Sequence, residues 1–148
     1  MGKVYGVVGT GAVGGMLGCS LVLAGHDVHF LARADLLTLK SKGAILERIE
    51  QPSKMHKTYS LPNINAYQDL KAMPKCDVVL FTVKTYDSSI LISQLSSILN
   101  PNTVIILMQN GIDIEKNLIH FKNPIYITTS WIKASREGCG RYRHHFGD

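Results

Sequence analysis

The run Val7-Val8-Gly9-Thr10-Gly11-Ala12-Val13-Gly14 constrains the fold more than any other stretch of this chain. It places three glycines at G-x-G-x-x-G spacing where an apolar run gives way to a helical pattern. Glycine inside a helix costs about 1 kcal/mol relative to alanine, so Gly14, Gly15 and Gly18 in a single helix need a reason. A strand-to-helix turn that meets a phosphate supplies one. Gly9 allows the tight turn out of the strand. Gly11, lacking a side chain, lets a phosphate approach the backbone, where free N–H groups and the helix dipole favour negative charge. Gly14 lets the helix pack closely on the sheet. A glycine-rich helix interface without a ligand would use the same residues, so the surrounding pattern has to decide.

That pattern is a βα alternation. Residues 3–8 read as a buried strand, 12–24 as a helix stopped by Gly25, 27–31 as a second strand and 34–42 as a helix closed by Gly43. Residues 44–50 and 56–61 read as short strands around a turn at Gln51-Pro52-Ser53, with a short helix over 67–72. The alternation resumes with a strand over 77–83, a helix over 88–99 stopped by Asn100-Pro101, a strand over 103–108 and a helix over 112–120. Residues 125–133 read as one further strand, and the tail over 136–148 as an added edge strand. This is an α/β chain of the Rossmann type, with a doubly wound, mostly parallel sheet and helices on both faces. At 148 residues it has the size of a single domain, residues 1–148.

The second strand bears on the ligand. Dinucleotide folds that take NAD place an acidic residue about 20 residues beyond the glycines, on the ribose 2′-hydroxyl. Here Asp27-Val28-His29-Phe30-Leu31-Ala32-Arg33 ends in arginine, and Asp27 lies at the opposite end of the strand. A carboxylate would repel a 2′-phosphate, whereas Arg33 can grip one through paired hydrogen bonds. A solvated arginine closing a strand would look the same, but the pattern favours NADPH/NADP over NAD.

Two more strands end in polar residues along the same crevice, since open parallel sheets bind ligands beyond the carboxyl ends of their strands. One runs through Phe81-Thr82-Val83 into Lys84-Thr85-Tyr86, the other through Ile106-Leu107-Met108 into Gln109-Asn110-Gly111. Singly, a loop lysine and an Asn-Gly turn are ordinary features. Their joint placement after consecutive buried strands points to ligand contact.

Other chemistries find less support. Apolar residues make up 45% and no apolar run reaches the roughly 18 residues of a membrane span. The start does not read as a signal peptide or as a myristoylation site, because Val4-Tyr5-Gly6 continues directly into the first strand. The net charge of +5 is dispersed, which argues against nucleic acid as a partner. Cys19, Cys76 and Cys139 form no Cys-x-x-Cys pair and read as reduced thiols of a cytoplasmic protein, the first two as packing residues. His144 and His145, adjacent on a strand, face opposite ways, so no metal is expected. Ser88-Ser89 and Ser96-Ser97 read as helix surface, and Trp131 as core or domain-interface packing.

With Gly9-Thr10-Gly11-Ala12-Val13-Gly14, Leu31-Ala32-Arg33, Val83-Lys84-Thr85-Tyr86 and Gln109-Asn110-Gly111 in order, the chain resembles the ketopantoate reductases (2-dehydropantoate 2-reductases) over nearly its whole length. The segment from Gly140 through His144-His145 to Gly147 is similar to the strand near the end of that family's cofactor domain. The resemblance implies an oxidoreductase that uses NADPH to reduce 2-dehydropantoate to pantoate, towards pantothenate and coenzyme A. It implies cofactor binding by Gly9, Thr10, Gly11, Ala12, Val13, Gly14, Arg33, Lys84, Gln109 and Asn110, with Lys84 and Asn110 supporting catalysis. It also implies a second, helical domain that supplies the proton donor and the substrate carboxylate site. Nothing here corresponds to that domain, so a truncated or excised domain with little turnover of its own is expected. Its partners would be a 2-keto acid, once the helical domain is supplied, and a complementing helical domain or a second copy in a homodimer. Two alternatives stay open: a non-catalytic NADP(H)-binding or sensing module, and a reductase of another 2-keto acid.

Overall fold

The first apolar run alternates two faces, and both are buried. In the computed structural model, which describes residues 2–84, 88–108 and 115–147, strand β1 (Val4–Val8) sends Val7 into one core and Val8 into another. Such two-sided burial suits a central parallel strand. β1 is flanked in parallel by β2 (Asp27–Leu31) and β6 (Cys76–Phe81). β5 (Asn65–Tyr67) extends the β2 side, and β7 (Leu99–Leu107) and β8 (Ile125–Ile127) extend the β6 side, all parallel. The order β5-β2-β1-β6-β7-β8 reverses direction between β1 and β6. That reversal is the switch point at which doubly wound sheets open a crevice.

Helix α1 (Ala12–Leu23) lies on one face of this sheet, and its glycines explain how closely it lies. A Cβ on Gly18 would meet the Phe30 ring at 2.2 Å, and one on Gly15 the Tyr142 ring at 2.1 Å. Phe30 belongs to the parallel sheet, but Tyr142 belongs to a second one. β3 (Ala44–Glu50), β4 (Met55–Leu61), β9 (Lys133–Gly138) and β10 (Arg141–Phe146) form a four-stranded sheet in the order β4-β3-β10-β9. Met16 and Cys19 of α1, Leu39 of α2 (Leu36–Lys42) and Leu46 of β3 share one core with Phe30 and Tyr142. The opposite face packs Val79 and Phe81 against Leu91 and Ile92 of α3 (Ser88–Gln94) and the 3-10 turn Leu95–Ile98. Helices on both faces are as expected; the additional sheet outside α1 is not.

The tail accounts for most of that difference. The strand expected over 125–133 breaks after Ile127: Thr128 bonds Leu107 O through its N at 3.0 Å and through its Oγ1 at 3.0 Å. The chain then crosses to the second sheet and resumes at Lys133. β9 and β10 form a hairpin turned by Gly140 at φ +67. β10 is no edge strand, because it pairs with β9 on one side and β3 on the other.

Residues 67–72 also differ. Tyr67 closes β5 and bonds His29 Nδ1 through its hydroxyl at 3.0 Å. Only Leu70–Ala72 turn, as a 3-10 segment whose start Asp69 caps by accepting from Lys71 N at 2.9 Å. The helix expected over 88–99 is α-helical only to Gln94, tightens to the 3-10 turn Leu95–Ile98, and stops there because Leu99 already pairs with Cys76 as the first residue of β7. Of the helix expected over 112–120, residues 112–114 lie outside the described residues and Glu115–Asn117 form a 3-10 turn. Ser88 is buried rather than on the surface, while Ser89 and Ser96 are exposed. Trp131 is 82% exposed and takes no part in either core. Cys19 and Cys76 are buried packing thiols, which burial pushes up to about 12 in pKa, so both stay protonated. Among the described residues no helix is long and apolar enough to cross a membrane.

Candidate functional site

Beyond the carboxyl ends of β1, β2 and β6, at the reversal of strand order, lies a cleft of about 340 Å³. The turn after β1 supplies Gly9, Thr10 and Gly11 to its lining. The chain after β6 supplies Thr82, Val83 and Lys84, and that after β2 supplies Arg33, Ala34 and Asp35. Three segments that are distant in sequence therefore meet at one opening.

Each glycine of the motif has a distinct local reason. Gly9 sits at φ +112, and a Cβ there would press on Val83 N at 3.0 Å. Gly14 has no room for a side chain, since a Cβ would stand 2.0 Å from Gly9 O and 2.3 Å from Thr82 Oγ1. Gly11 is the opposite case: nothing lies within 4 Å of its Cβ position, which faces open space. It is the N-cap of α1, with extended backbone and no side-chain cap, and no acidic residue follows in the first turn. The amides at the start of α1, including those of Ala12 and Val13, thus have no side-chain cap, which is the condition of anion sites at helix starts. Thr82 fixes this turn by donating its hydroxyl to Gly9 O at 2.7 Å.

Arg33 follows β2 and lines the cleft in an exposed position. Asp27 does not reach it. It lies at the other end of β2, with its carboxylate 3.1 Å from His29 Nε2 and accepting from Asn65 Nδ2 at 3.2 Å. Among the described residues the carboxylate that borders the cleft is Asp35, which is 1% exposed and already occupied. Arg136 Nε donates to its two oxygens at 3.1 and 3.2 Å, Arg136 Nη2 also donates to Oδ1, and the buried Tyr142 hydroxyl donates to Oδ2 at 2.6 Å. Burial acts to raise the Asp35 pKa. The hydrogen bonds from Arg136, Tyr142 and the Gly140 N–H, together with the Arg136 charge, outweigh it and hold the carboxyl below the usual carboxylate range.

That shift has a consequence for stability. A carboxyl whose folded pKa lies below its unfolded value contributes stability that is fully present above the unfolded value, and the contribution disappears as pH falls through the folded one. The stability gap between the wild-type protein and Asp35→Asn should therefore be constant near neutral pH and narrow below about pH 4. Urea unfolding of both proteins from pH 7 down to 3 would measure it, and a gap that does not change with pH would refute the assignment.

Lys84 is exposed in the part of the lining that follows β6. Gln109, Asn110 and Tyr86 lie outside the described residues. The chain leading to Gln109 is held at the end of β6, where Met108 N donates to Phe81 O at 3.0 Å. Thr82, Asp35 and Arg136 join the site without being singled out by the sequence. Arg136 and Asp35 are 101 residues apart, and no local pattern marks such a pair. The two C-terminal histidines bond separate partners, His144 Nε2 to Gly147 O and His145 Nε2 to Ser135 Oγ, each at 2.8 Å. Among the described residues no group of three His, Cys, Asp or Glu side chains is placed to hold a metal ion.

Known proteins share this fold. The family described as "Ketopantoate reductase PanE/ApbA" matches residues 5–148. The 2-dehydropantoate 2-reductase of Nostoc sp. is 33% identical over 145 residues, a match that covers 97% of this chain and 43% of that protein. Among solved structures, the 2-dehydropantoate 2-reductase of Geobacter metallireducens superposes with a TM-score of 0.87 at 25% identity, covering 97% of this chain and 46% of that one. A PanE/ApbA family ketopantoate reductase of Ralstonia eutropha does so with a TM-score of 0.83 at 26% identity, with coverage of 97% and 46%. The chain thus spans less than half the length of each of these three relatives. Matched by that family over residues 5–148 and by those solved structures in its fold, the chain belongs to the ketopantoate reductase PanE/ApbA family.

Proposed function

We propose that residues 1–148 form the NADPH-binding part of a ketopantoate reductase, an oxidoreductase that converts 2-dehydropantoate to pantoate on the way to pantothenate and coenzyme A. One observation carries the reading of the cofactor. The cleft at the switch point opens onto the uncapped start of α1 and presents Arg33, while the carboxylate in its described lining, Asp35, is buried and bonded to Arg136 and Tyr142. A ribose 2′-hydroxyl would call for an acceptor at this position, whereas a 2′-phosphate calls for a cation.

The residues fit the cofactor part by part. Gly9, Thr10 and Gly11, with the amides at Ala12 and Val13 and the close packing at Gly14, would hold the pyrophosphate. Arg33 would hold the 2′-phosphate. Lys84, Gln109 and Asn110 would border the nicotinamide and the substrate. When bound, NADPH supplies the hydride that reduces the ketone carbon. Negative charge then develops on the carbonyl oxygen, and a cation or acid must meet it. Lys84 would stabilise that charge and Asn110 would orient the carbonyl. Proton delivery and the carboxylate of the 2-keto acid are assigned to a helical part of the kind the family carries. Turnover then requires that part, because cofactor and substrate react efficiently only when held together away from water. Pairing with it or with a second copy of the chain, and a cytoplasmic location suited to the three free thiols, belong to the same proposal.

Arg33→Ala tests the reading. In fluorescence titrations the variant should lose at least about tenfold in affinity for NADPH, the scale of one lost charged hydrogen-bonding partner, with little change for NADH. Retention of the wild-type preference for NADPH would show that the 2′-phosphate is recognised elsewhere.

A further inference from the structure

The second sheet, which lies outside the strand-helix-strand unit, contributes one side chain to the cofactor cleft: Arg136 of β9. Its bonding is lopsided. Nε and Nη2 are both directed at Asp35, and Nη2 also approaches Cys139 Sγ at 3.5 Å. Nη1 enters none of these bonds, so two donors of a guanidinium fixed along its other edge remain unused among the described residues. Exposure is lopsided too. The Asp35 side chain is 1% exposed and the Arg136 side chain 34%. The anion of the pair is shut in, shared with the Tyr142 hydroxyl and the Gly140 N–H, while the cation forms part of the cleft wall.

We propose that Arg136 is a second ligand of the ribose 2′-phosphate, offering its Nη1 donors to the same cleft that Arg33 lines; this rests on the cofactor reading above. A phosphate monoester carries close to two negative charges at neutral pH and several acceptor oxygens, which a single arginine does not match. Asp35 then has a role beyond the fold. By gripping one edge of the Arg136 guanidinium it presents the other edge at low entropic cost, since a fork held along one side loses little freedom on binding. A ribose 2′-hydroxyl gains nothing comparable, so choice between the two dinucleotides would be made jointly by β2 and by a strand of the second sheet.

Arg136→Lys separates this role from a structural one. The lysine still places a cation against Asp35 but has no second edge to offer. The variant should unfold within a few degrees of the wild-type protein while its Kd for NADPH rises about tenfold and its Kd for NADH stays within about twofold. Equal weakening of both dinucleotides, or no weakening of either, would overturn the proposal. If Arg33→Ala abolishes the preference and Arg136→Lys keeps it, the cofactor reading stands and this inference falls. A wild-type protein that binds neither dinucleotide removes both. A second measurement needs no variant. NADPH, and not NADH, should protect Arg136 from modification by phenylglyoxal when the unmodified chain is mapped by mass spectrometry, and equal labelling with and without NADPH would count against the inference.

Discussion

Gly14→Ala should lower the thermal unfolding midpoint by about 6–12 °C, the equivalent of roughly 3 kcal/mol in a domain of this size. The methyl group would stand 2.0 Å from Gly9 O, so either α1 or the glycine turn has to move. Neither moves freely. Gly9 O accepts from Thr82 Oγ1 at 2.7 Å, and a Cβ on the turn itself would already press on Val83 N at 3.0 Å. On its far sides α1 is wedged between Phe30 of one sheet and Tyr142 of the other, at positions where Gly18 and Gly15 leave no space for a methyl group. Overpacking of this kind is relieved only by backbone shifts, which is why it exceeds the cost of an ordinary surface substitution. Thermal unfolding followed by circular dichroism measures the effect, and a midpoint within about 2 °C of wild type would mean that α1 has slack the packing does not show.

Gly11→Asp should do the reverse: the fold stays intact and ligand affinity collapses. Gly11 has extended N-cap geometry and open space around its Cβ position. Aspartate is among the best N-cap residues, so stability should be unchanged or rise by a few tenths of a kcal/mol. The same carboxylate would occupy the free amides of α1 and bring a negative charge to the position proposed for the pyrophosphate. A like-charge contact at such a site costs several kcal/mol, so dinucleotide binding should weaken by about a hundredfold or more. Both NADPH and NADH should be affected, in contrast with Arg33→Ala. A Gly11→Asp variant that folds and still binds NADPH normally would remove the start of α1 from the site.

Sequence and structure agree where the chain is locally determined. β2 and β3 coincide with their expected spans, and β1 and α1 agree with theirs to within a residue at either end. In these segments apolar runs, glycine stops and a helix start all act over a few residues. Arg33 and Lys84 also reach one cleft as expected, because strand ends in a parallel sheet converge by topology. Strands β3 and β4 are legible in the sequence, but their pairing with β9 and β10 into a second sheet is not, for a physical reason. β9 and β10 are almost entirely exposed or half-exposed and weakly alternating, so nothing in residues 133–146 announces that β10 will be an interior strand. Only Tyr142 is buried in β10, and its partner space is created by the absence of a side chain at Gly15, far away in sequence. Asp35 and Arg136 escape notice on the same grounds. The carboxylate two residues beyond Arg33 reads as an ordinary helix-start residue until the fold closes an arginine and a tyrosine over it.

The most direct test of the cofactor assignment is a pair of fluorescence titrations of the unmodified chain, one with NADPH and one with NADH, at the same ionic strength. The Kd for NADPH should lie at least about tenfold below that for NADH, the margin expected from a charged contact made only to the 2′-phosphate. Equal affinities, or tighter binding of NADH, would contradict the assignment of this cleft to NADPH.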